Sequence, residues 1–305
     1  MEEYDYENTR DIEGMEFYLS KYPEGKYGES VKEKVEEEYY SRAKNPDGVE
    51  AYLSKYPNGR YSEKLIKERN DKNRAIKESI EKNMVAVKGG RVKVEELNWK
   101  GDFEVKYYSD RTDFYISKYE VTQGEYEEIM GYNPSKFSGR AANPVDSVTW
   151  YDAVIYCNKL SEICGFTPYY QIKNIEYYGD ENKNSVRYAK VEEQKGNGYR
   201  LPLEAEWQLA AMEGKNRSLF SKKYSGSSKI TEVAWYGENS NQESHPVGQK
   251  KPNEFGLYDM SGNVREWCMN WYSNGYKCLR GGAWHYNFKE QCEVGTREET
   301  DIDCR

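Results

Sequence analysis

Few residues in this chain of 305 could carry redox or metal chemistry. Its six cysteines all lie in the second half of the chain: Cys157, Cys164, Cys268, Cys278, Cys292 and Cys304. None of them form a CxxC pair, which argues against a zinc site of the usual spacing. An even number of cysteines permits three disulfides without requiring them. Only two histidines, His245 and His285, could serve as a general base or as an imidazole ligand.

The charge balance also excludes some classes of function. The formal net charge is −8, and an acidic protein does not work by neutralising phosphates, so nucleic acid is not an expected partner. No apolar run approaches the roughly 18–20 residues of a transmembrane helix. The acidic start, Met1–Asp5, is unlike a signal peptide. The location stays open. The cell surface or periplasm is slightly favoured, and a lipid anchor upstream is compatible with the sequence.

The first 80 residues contain a repeat with a period of 34. Tyr18–Tyr27 (YLSKYPEGKY) returns as Tyr52–Tyr61 (YLSKYPNGRY). A period of this size is typical of stacked helix pairs. We expect one helix to end at each Tyr-Pro-x-Gly and a second to follow, near 27–43 and 61–82. Residues 62–83 read as an exposed helix that runs into a linker. The segment 1–80 is either a solvated helical extension or a module that binds a partner.

The rest of the chain mixes short strands, helices and long loops, which indicates an α+β fold. Capping boxes at Thr122–Glu125 and Thr149–Asp152 predict two helix starts, because each side chain satisfies a free backbone N–H of the other residue. A third helix is predicted over 203–212. Residues 84–90 read as an opening strand. After residue 233 the frequent Gly, Pro and Asn predict loops with short strands.

Seven short segments stand out in order along residues 84–305. They are Met84–Val85 with Gly89–Gly90, Tyr119–Thr122, Asn143–Val145 with Val148–Trp150, Tyr199–Trp207, Gly256–Met260, Gly262–Trp267 and Arg280–Trp284. Together they resemble the formylglycine-generating enzyme, or sulfatase-modifying factor, family. Any one of them is weak evidence alone, but seven in the family's order and spacing are specific. The resemblance implies a variant of the C-type lectin fold, with helices packed on a small twisted sheet.

The same resemblance implies a calcium site in the loop 259–266. Its ligands would be the side chains of Asp259 and Glu266 and the backbone carbonyls of Gly262 and Val264. Calcium takes six to eight oxygen ligands, so carboxylates and carbonyls together suit it. Arg265 adds a positive charge where the family often has an aromatic residue. The alternative is a tight turn whose acidic side chains face water or cap neighbouring groups.

The family's copper chemistry is not expected here. Its enzymes convert a cysteine of a target protein into formylglycine with a copper(I) ion held by two cysteines, and soft thiolates suit that ion. Tyr286 stands where the first cysteine would be, the second position has no thiol, and Cys292 matches a later structural cysteine. The related iron-dependent sulfoxide synthases use an N-terminal histidine-rich bundle, and residues 1–80 contain no histidine. An enzyme of altered chemistry would depend on Cys278 with Cys292.

A non-catalytic branch of the same fold offers another function. The chain resembles the variable proteins of diversity-generating retroelements. These proteins place a hypervariable C-terminal segment near the Gly-Gly-x-Trp motif, which is Gly281–Trp284 in this chain. The resemblance implies a binding site for an unidentified protein or carbohydrate. A fixed accessory or scaffold domain is the alternative, and the alternate aromatic residues could instead be core residues of a strand. The candidate ligand-binding residues are Trp284, His285, Tyr286, Asn287, Phe288 and Glu293.

Overall fold

A computed structural model describes residues 1–90, 92–97, 103–108, 112–178, 185–194, 196–213, 223–273 and 275–304, with the strands at 92–97 and 103–108 described by their backbone alone. The chain divides into two units, Met1–Ala75 and Ile76–Arg305. The helices that begin in the first unit are α1 (Glu2–Glu7), α2 (Ile12–Lys21), α3 (Gly28–Arg42), α4 (Pro46–Lys55) and α5 (Ser62–Lys82).

The 34-residue repeat is held together by a buried tyrosine and a glutamate. Tyr18 donates its hydroxyl to Glu2 (2.8 Å), and Tyr52 donates to Glu36 in the same way (2.6 Å). Each glutamate also accepts the backbone N–H eight residues after its tyrosine. A Cβ at Gly59 would lie 2.5 Å from the Glu36 carboxylate, so the glycine of Tyr-Pro-x-Gly leaves room for this contact. The predicted helix pairs are confirmed.

The predicted linker after α5 is wrong. The helix ends at Lys82, and the first strand begins at Met84. Ile76, in the second unit, is only 6% exposed, and Ile80 packs against the same core. The two isoleucines lie four residues apart, so they share one face of the helix. The surrounding charged residues concealed this apolar stripe in the sequence.

The second unit has little regular structure and several small antiparallel sheets. The strands β1 and β4 pair, as do β2 and β3, and β5 and β6, while β7, β8 and β9 form one three-stranded sheet. Its elements are β1 (Met84–Val87), β2 (Val92–Leu97), β3 (Phe103–Tyr108), β4 (Phe114–Ser117), α6 (Gln123–Met130), α7 (Trp150–Ile163), β5 (Tyr170–Tyr177), β6 (Val186–Glu193), α8 (Glu204–Ala211), α9 (Ile230–Val233), β7 (Glu266–Ser273), β8 (Tyr276–Arg280), a 3₁₀ turn (Lys289–Cys292) and β9 (Glu298–Asp301). This is the α+β arrangement expected from the sequence.

Both predicted capping boxes are present, at the starts of α6 and α7. The third helix, α8, begins without a side-chain cap at Leu203, but Glu206 accepts the Leu203 N–H (2.9 Å). Every residue of α8 is buried, and Trp207 is completely so. The helix therefore forms the centre of the core beside the three-stranded sheet.

A buried ionic cluster fixes where the chain leaves β8. Arg280, at the end of that strand, donates to Glu204 of α8 (2.5 Å) and to the carbonyls of Val294 and Thr296. Arg297 donates to the same Glu204 oxygen (2.6 Å). Both ends of the segment 281–297 are thus attached to one helix, which makes the segment a closed loop on a rigid base.

Candidate ligand-binding loop and metal-binding loop

The candidate ligand-binding residues lie on a loop, and the core-strand alternative is wrong. After Gly281 (φ 93°) and Gly282 (φ 79°) the backbone follows turns, and no strand is present between residues 281 and 297. A Cβ at Gly282 would lie 2.7 Å from the Gln291 carbonyl and 2.8 Å from Cys292 Sγ. Because both the positive φ and the close contacts require glycine, this position fixes the direction of the loop.

The loop presents its side chains to different degrees. Phe288 is 71% exposed, and His285 and Asn287 are also exposed. Trp284 and Tyr286 are half-buried, so each shows one edge to solvent. Exposed aromatic side chains on a fixed loop are suited to binding.

Glu293, the sixth candidate, lies beyond the 3₁₀ turn and is also half-buried. Its carboxylate forms an ion pair with Lys223 (3.2 Å). The other five candidates, residues 284–288, are consecutive on the loop. Glu293 lies apart from them, and its side chain already forms an ion pair.

Backbone hydrogen bonds hold this loop against its neighbours. Trp284 donates its N–H to the Asn263 carbonyl (2.7 Å), and Gly237 donates to the Tyr286 carbonyl (2.8 Å). The Ser240 hydroxyl donates to the Trp284 carbonyl (2.7 Å). Since the bonds use main-chain atoms of the loop, its side chains can differ without loss of these attachments.

A polar cluster surrounds the hydroxyl group of Tyr286. Tyr286 donates its hydroxyl to Glu298, and Arg265 lies 3.9 Å from the same carboxylate. Burial, followed by the Glu298 contact, raises the pKa of Tyr286. The pKa of His285 is lowered by burial and by the charges of Arg265 and Lys136. A neutral imidazole and a neutral phenol can both exchange hydrogen bonds with a ligand.

The loop 259–266 has the backbone and the oxygen atoms that a cation site needs. Asp259 (φ 58°) and Gly262 (φ 80°) adopt left-handed conformations, which curl the loop. One Asp259 oxygen accepts the Gly248 N–H (2.7 Å), and the other is buried without a hydrogen-bond partner. Glu266 accepts the indole N–H of Trp207 (3.0 Å). The loop is a tight turn whose two acidic groups cap neighbouring N–H groups, which the alternative to a calcium site also predicts.

Two of the predicted ligand oxygens lie beside one point. A Cβ placed on Gly281 would be 3.7 Å from both Glu266 Oε1 and the Val264 carbonyl oxygen. Among the described residues, no three His, Cys, Asp or Glu side chains form a group that could hold a metal ion. A site here must therefore use backbone carbonyls, as the predicted ligand set does.

Sequence reasoning assigned no role to Glu120, which lies beside this loop. It is 9% exposed and accepts hydrogen bonds from the Val264 N–H (3.0 Å) and the Asn263 side chain (2.7 Å). Burial, together with the charges of Asp259 and Glu266, raises its pKa well above the usual range. Only its place in the Tyr-Glu-Val-Thr segment marked it beforehand.

The two acidic candidates, Asp259 and Glu266, are also destabilised as anions. Burial raises the pKa of Asp259 to about 6. Burial, with a contribution from Asp259, raises the pKa of Glu266 to about 7. The raised pKa values of these carboxyl groups and the unpartnered Asp259 oxygen indicate an environment that a bound cation would stabilise. The oxygen donors of this loop are of the chemical kind that calcium takes.

Comparisons with known proteins agree with this architecture. The family described as "Sulfatase-modifying factor enzyme 1-like domain" matches residues 71–305. The chain is 40% identical over 236 residues to "Chaperone protein LppX" of Paenibacillus barcinonensis, a match that covers 68% of this chain and 80% of that protein. It is 29% identical over 202 residues to the formylglycine-generating enzyme of Streptomyces coelicolor, covering 55% of this chain and about half (51%) of that protein.

Two solved structures share the fold. "Treponema denticola variable protein 1" aligns with a TM-score of 0.61 at 30% identity, covering 73% of this chain and 90% of the other. CarF aligns with a TM-score of 0.55 at 28% identity, covering 72% and 92%. These matches confirm the C-type lectin-like fold and the resemblance to a variable protein.

Within the described part of the chain, no helix has the length and apolar character required to cross a membrane.

Proposed function

Because the chain belongs to the sulfatase-modifying factor family and shares its fold with a variable protein, we propose that it is a non-catalytic binding protein. Its site consists of Trp284–Phe288 and Glu293, and its ligand is a protein or a carbohydrate. The observation that carries the proposal is the 71% exposure of Phe288 on a loop whose backbone is fixed by hydrogen bonds. Exposed aromatic and polar side chains on a rigid loop are typical of recognition surfaces.

The state of the thiols supports the non-catalytic part of this proposal. Cys278 and Cys292 are completely buried, and neither forms a disulfide. Burial raises the pKa of Cys292 to about 12, which keeps it a neutral thiol, whereas copper(I) is held by thiolates. Incubation with copper(I), oxygen and a Cys-x-Pro-x-Arg peptide should yield no aldehyde. Copper-dependent turnover would overturn the proposal.

Binding through the loop can be tested with a matched pair of variants. Phe288→Ala should abolish retention on protein and glycan arrays that retain the parent protein, because it removes the most exposed apolar group of the loop. Tyr115→Ala is the control, since Tyr115 is equally exposed (70%) but lies on β4. Equal loss in both variants, or no loss in either, would count against a binding site at 284–288.

We also propose that the sequence of this C-terminal segment varies between cells of the source population. Deep sequencing of the codons for residues 281–305 in the source population should show substitutions at exposed positions such as His285 and Asn287. Gly282 and Cys292 should stay constant, because the first has no room for a Cβ and the second is buried. A uniform sequence would favour a fixed accessory domain, a role that the 40% identity to a protein described as a chaperone also supports.

We also propose that Asp259, Glu266 and the carbonyls of Gly262 and Val264 bind calcium. The unpartnered oxygen of Asp259 supports the proposal. The ion would supply charge neutralisation that keeps the loop curled, and the Gly262 N–H donates to the Gly281 carbonyl (2.7 Å) at the start of the binding loop. We further propose that the protein works at the cell surface or in the periplasm.

A further inference from the structure

A cavity of about 400 Å³ lies between two segments that are distant in sequence. The segments are joined by hydrogen bonds from the Asn143 side chain to the Ser244 carbonyl (2.8 Å) and from the Val247 N–H to the Ala142 carbonyl (2.9 Å). Asn143 and Ser244 are 3% and 1% exposed, so the hydrogen bond that joins the two segments is buried. The lining residues are those of the ranges 140–143 and 243–246.

This cavity and the aromatic loop share one anchoring residue. The side-chain oxygen of Asn263 accepts the His245 N–H (3.0 Å) at the cavity wall. The Asn263 carbonyl accepts the Trp284 N–H at the start of the loop. A hydrogen bond from Ser240 to the Trp284 carbonyl ties the loop to the residues just before the wall. The cavity wall and the start of the loop are therefore held by the same buried residue.

Two cations flank the aromatic residues between these parts. Phe137 and Trp284 pack edge to face, with ring centres 5.9 Å apart. Lys136 Nζ lies 5.4 Å from the Phe137 ring centre and 5.9 Å from that of Trp284. The Arg140 guanidinium, which also lines the cavity, lies 5.6 Å from the Phe137 ring. We call Lys136, Phe137, Arg140 and Trp284 the cationic platform.

The charge of the platform is only partly compensated. Arg140 pairs with Glu243 (2.8 Å). Lys136 is exposed, and no ion pair links its ammonium group to any carboxylate of the described ranges. Its charge reaches the loop, where it contributes to the lowered pKa of His285. The Lys136 ammonium group is therefore the part of the cationic platform that can pair with an anionic group of a partner.

We propose that the cationic platform and the cavity form a docking site for an acidic segment of a protein partner. An aspartate or glutamate of the partner pairs with Lys136, and a neighbouring side chain enters the cavity beside Arg140. The exposed Phe288 side chain adds apolar contact, as aromatic and arginine residues do at interface centres. A long polyanion fits less well, because the acidic remainder of the surface repels it. This proposal rests on the proposed function.

The test uses the full chain and an array of twelve-residue peptides. Each peptide carries one aspartate or glutamate beside an aliphatic or aromatic residue, and its partner peptide carries asparagine or glutamine instead. Acidic peptides should bind roughly five to ten times more tightly than their amide partners, with the difference reduced by salt. Lys136→Glu should remove this preference. Lys173→Glu, which changes an exposed lysine on β5, should leave it intact.

The outcomes separate this inference from the function on which it rests. Peptide binding that Phe288→Ala abolishes but Lys136→Glu leaves unchanged would overturn the acidic partner and keep the binding loop. Equal binding of acidic and amide peptides would overturn it as well. Retention on sulfated or uronate glycans with no acidic peptide bound would replace the protein partner with a carbohydrate. Near-ultraviolet circular dichroism of both lysine variants establishes that each is folded.

Discussion

Adding calcium to the metal-free protein should raise its thermal stability, and the size of this rise should depend on pH. A saturating ligand stabilises a folded protein by about 2.7 kcal/mol at one hundred times its Kd. For a unit of the size of Ile76–Arg305, that energy corresponds to a rise in Tm of roughly 5–10 °C. Near neutral pH, calcium should therefore shift the melt of this unit upward by this amount.

The pH dependence follows from the buried acids. The pKa of Asp259 is raised from 3.8 to about 6, and that of Glu266 from 4.5 to about 7. Without metal, the contribution of each carboxyl group to the stability of the folded state is fully present at a pH below its pKa in the unfolded chain. This contribution is lost as the pH rises through its pKa in the folded protein. Each increase in pKa corresponds to roughly 3 kcal/mol of stability. The two contributions are not additive, because the two carboxyl groups interact. Calcium binds the ionised forms, so its effect should be larger near pH 7.5 than near pH 5.

The assay is a calorimetric melt of protein passed over a chelating resin, with and without added calcium chloride, at the two pH values. Magnesium at the same concentration is the control for ionic strength, and it should have a smaller effect because it demands a regular octahedral site. A melt that calcium leaves unchanged at both pH values would refute the assignment. An equal shift at both pH values would refute the reasoning from the raised pKa values.

A conservative variant separates the ion from the loop. Asp259→Asn keeps a residue that tolerates the left-handed conformation (φ 58°) and can still accept the Gly248 N–H. It removes a buried charge, so the metal-free variant should be at least as stable as the parent near pH 7.5. Its calcium response should be lost. A destabilised variant that still responds to calcium would exclude Asp259 as a ligand.

Three further changes test the frame that holds the loop. Glu204→Gln should lower the free energy of unfolding by roughly 3–5 kcal/mol in urea titrations, because it leaves Arg280 buried without its anionic partner. Gly282→Ala should cost more than Gly256→Ala in the same titrations, since both positions have positive φ but only Gly282 lacks room for a Cβ; equal costs would contradict the steric argument. Gly59→Ala should lower the Tm of the helical repeat followed by far-ultraviolet circular dichroism, and an unchanged melt would show that the Cβ is accommodated.

Local signals in the sequence predicted the elements that begin with a side-chain hydrogen bond. The starts of α6 and α7 follow from Thr122 and Thr149, because a capping box involves only residues three apart. The repeat was visible because its tyrosine and glycine recur at a fixed spacing. The apolar pair in α5 was missed, since Ile76 and Ile80 stand among charged residues and their partners lie elsewhere in the chain.

The sequence predicted which residues belong to the candidate site but not how they are arranged in space. The loop 259–266 and the segment 284–288 were recognised from family-like motifs, yet no local pattern joins Glu120 to Val264 or Asn143 to Ser244. These pairs are 144 and 101 residues apart. Such contacts form only when the whole core is assembled, so the buried carboxyl cluster and the cavity wall could not be inferred from spacing.

The hydrogen bonds explain how the side chains of the proposed binding loop can change while its backbone stays in place. The frame of the loop depends on Asn263, Gly282 and Arg280, all buried. They act through main-chain atoms or through contacts with buried partners. Exposed residues such as His285 and Phe288 contribute little to that frame. Substitutions there can change what is bound, or remove catalysis, without loss of the fold, which is the condition that a variable binding site requires.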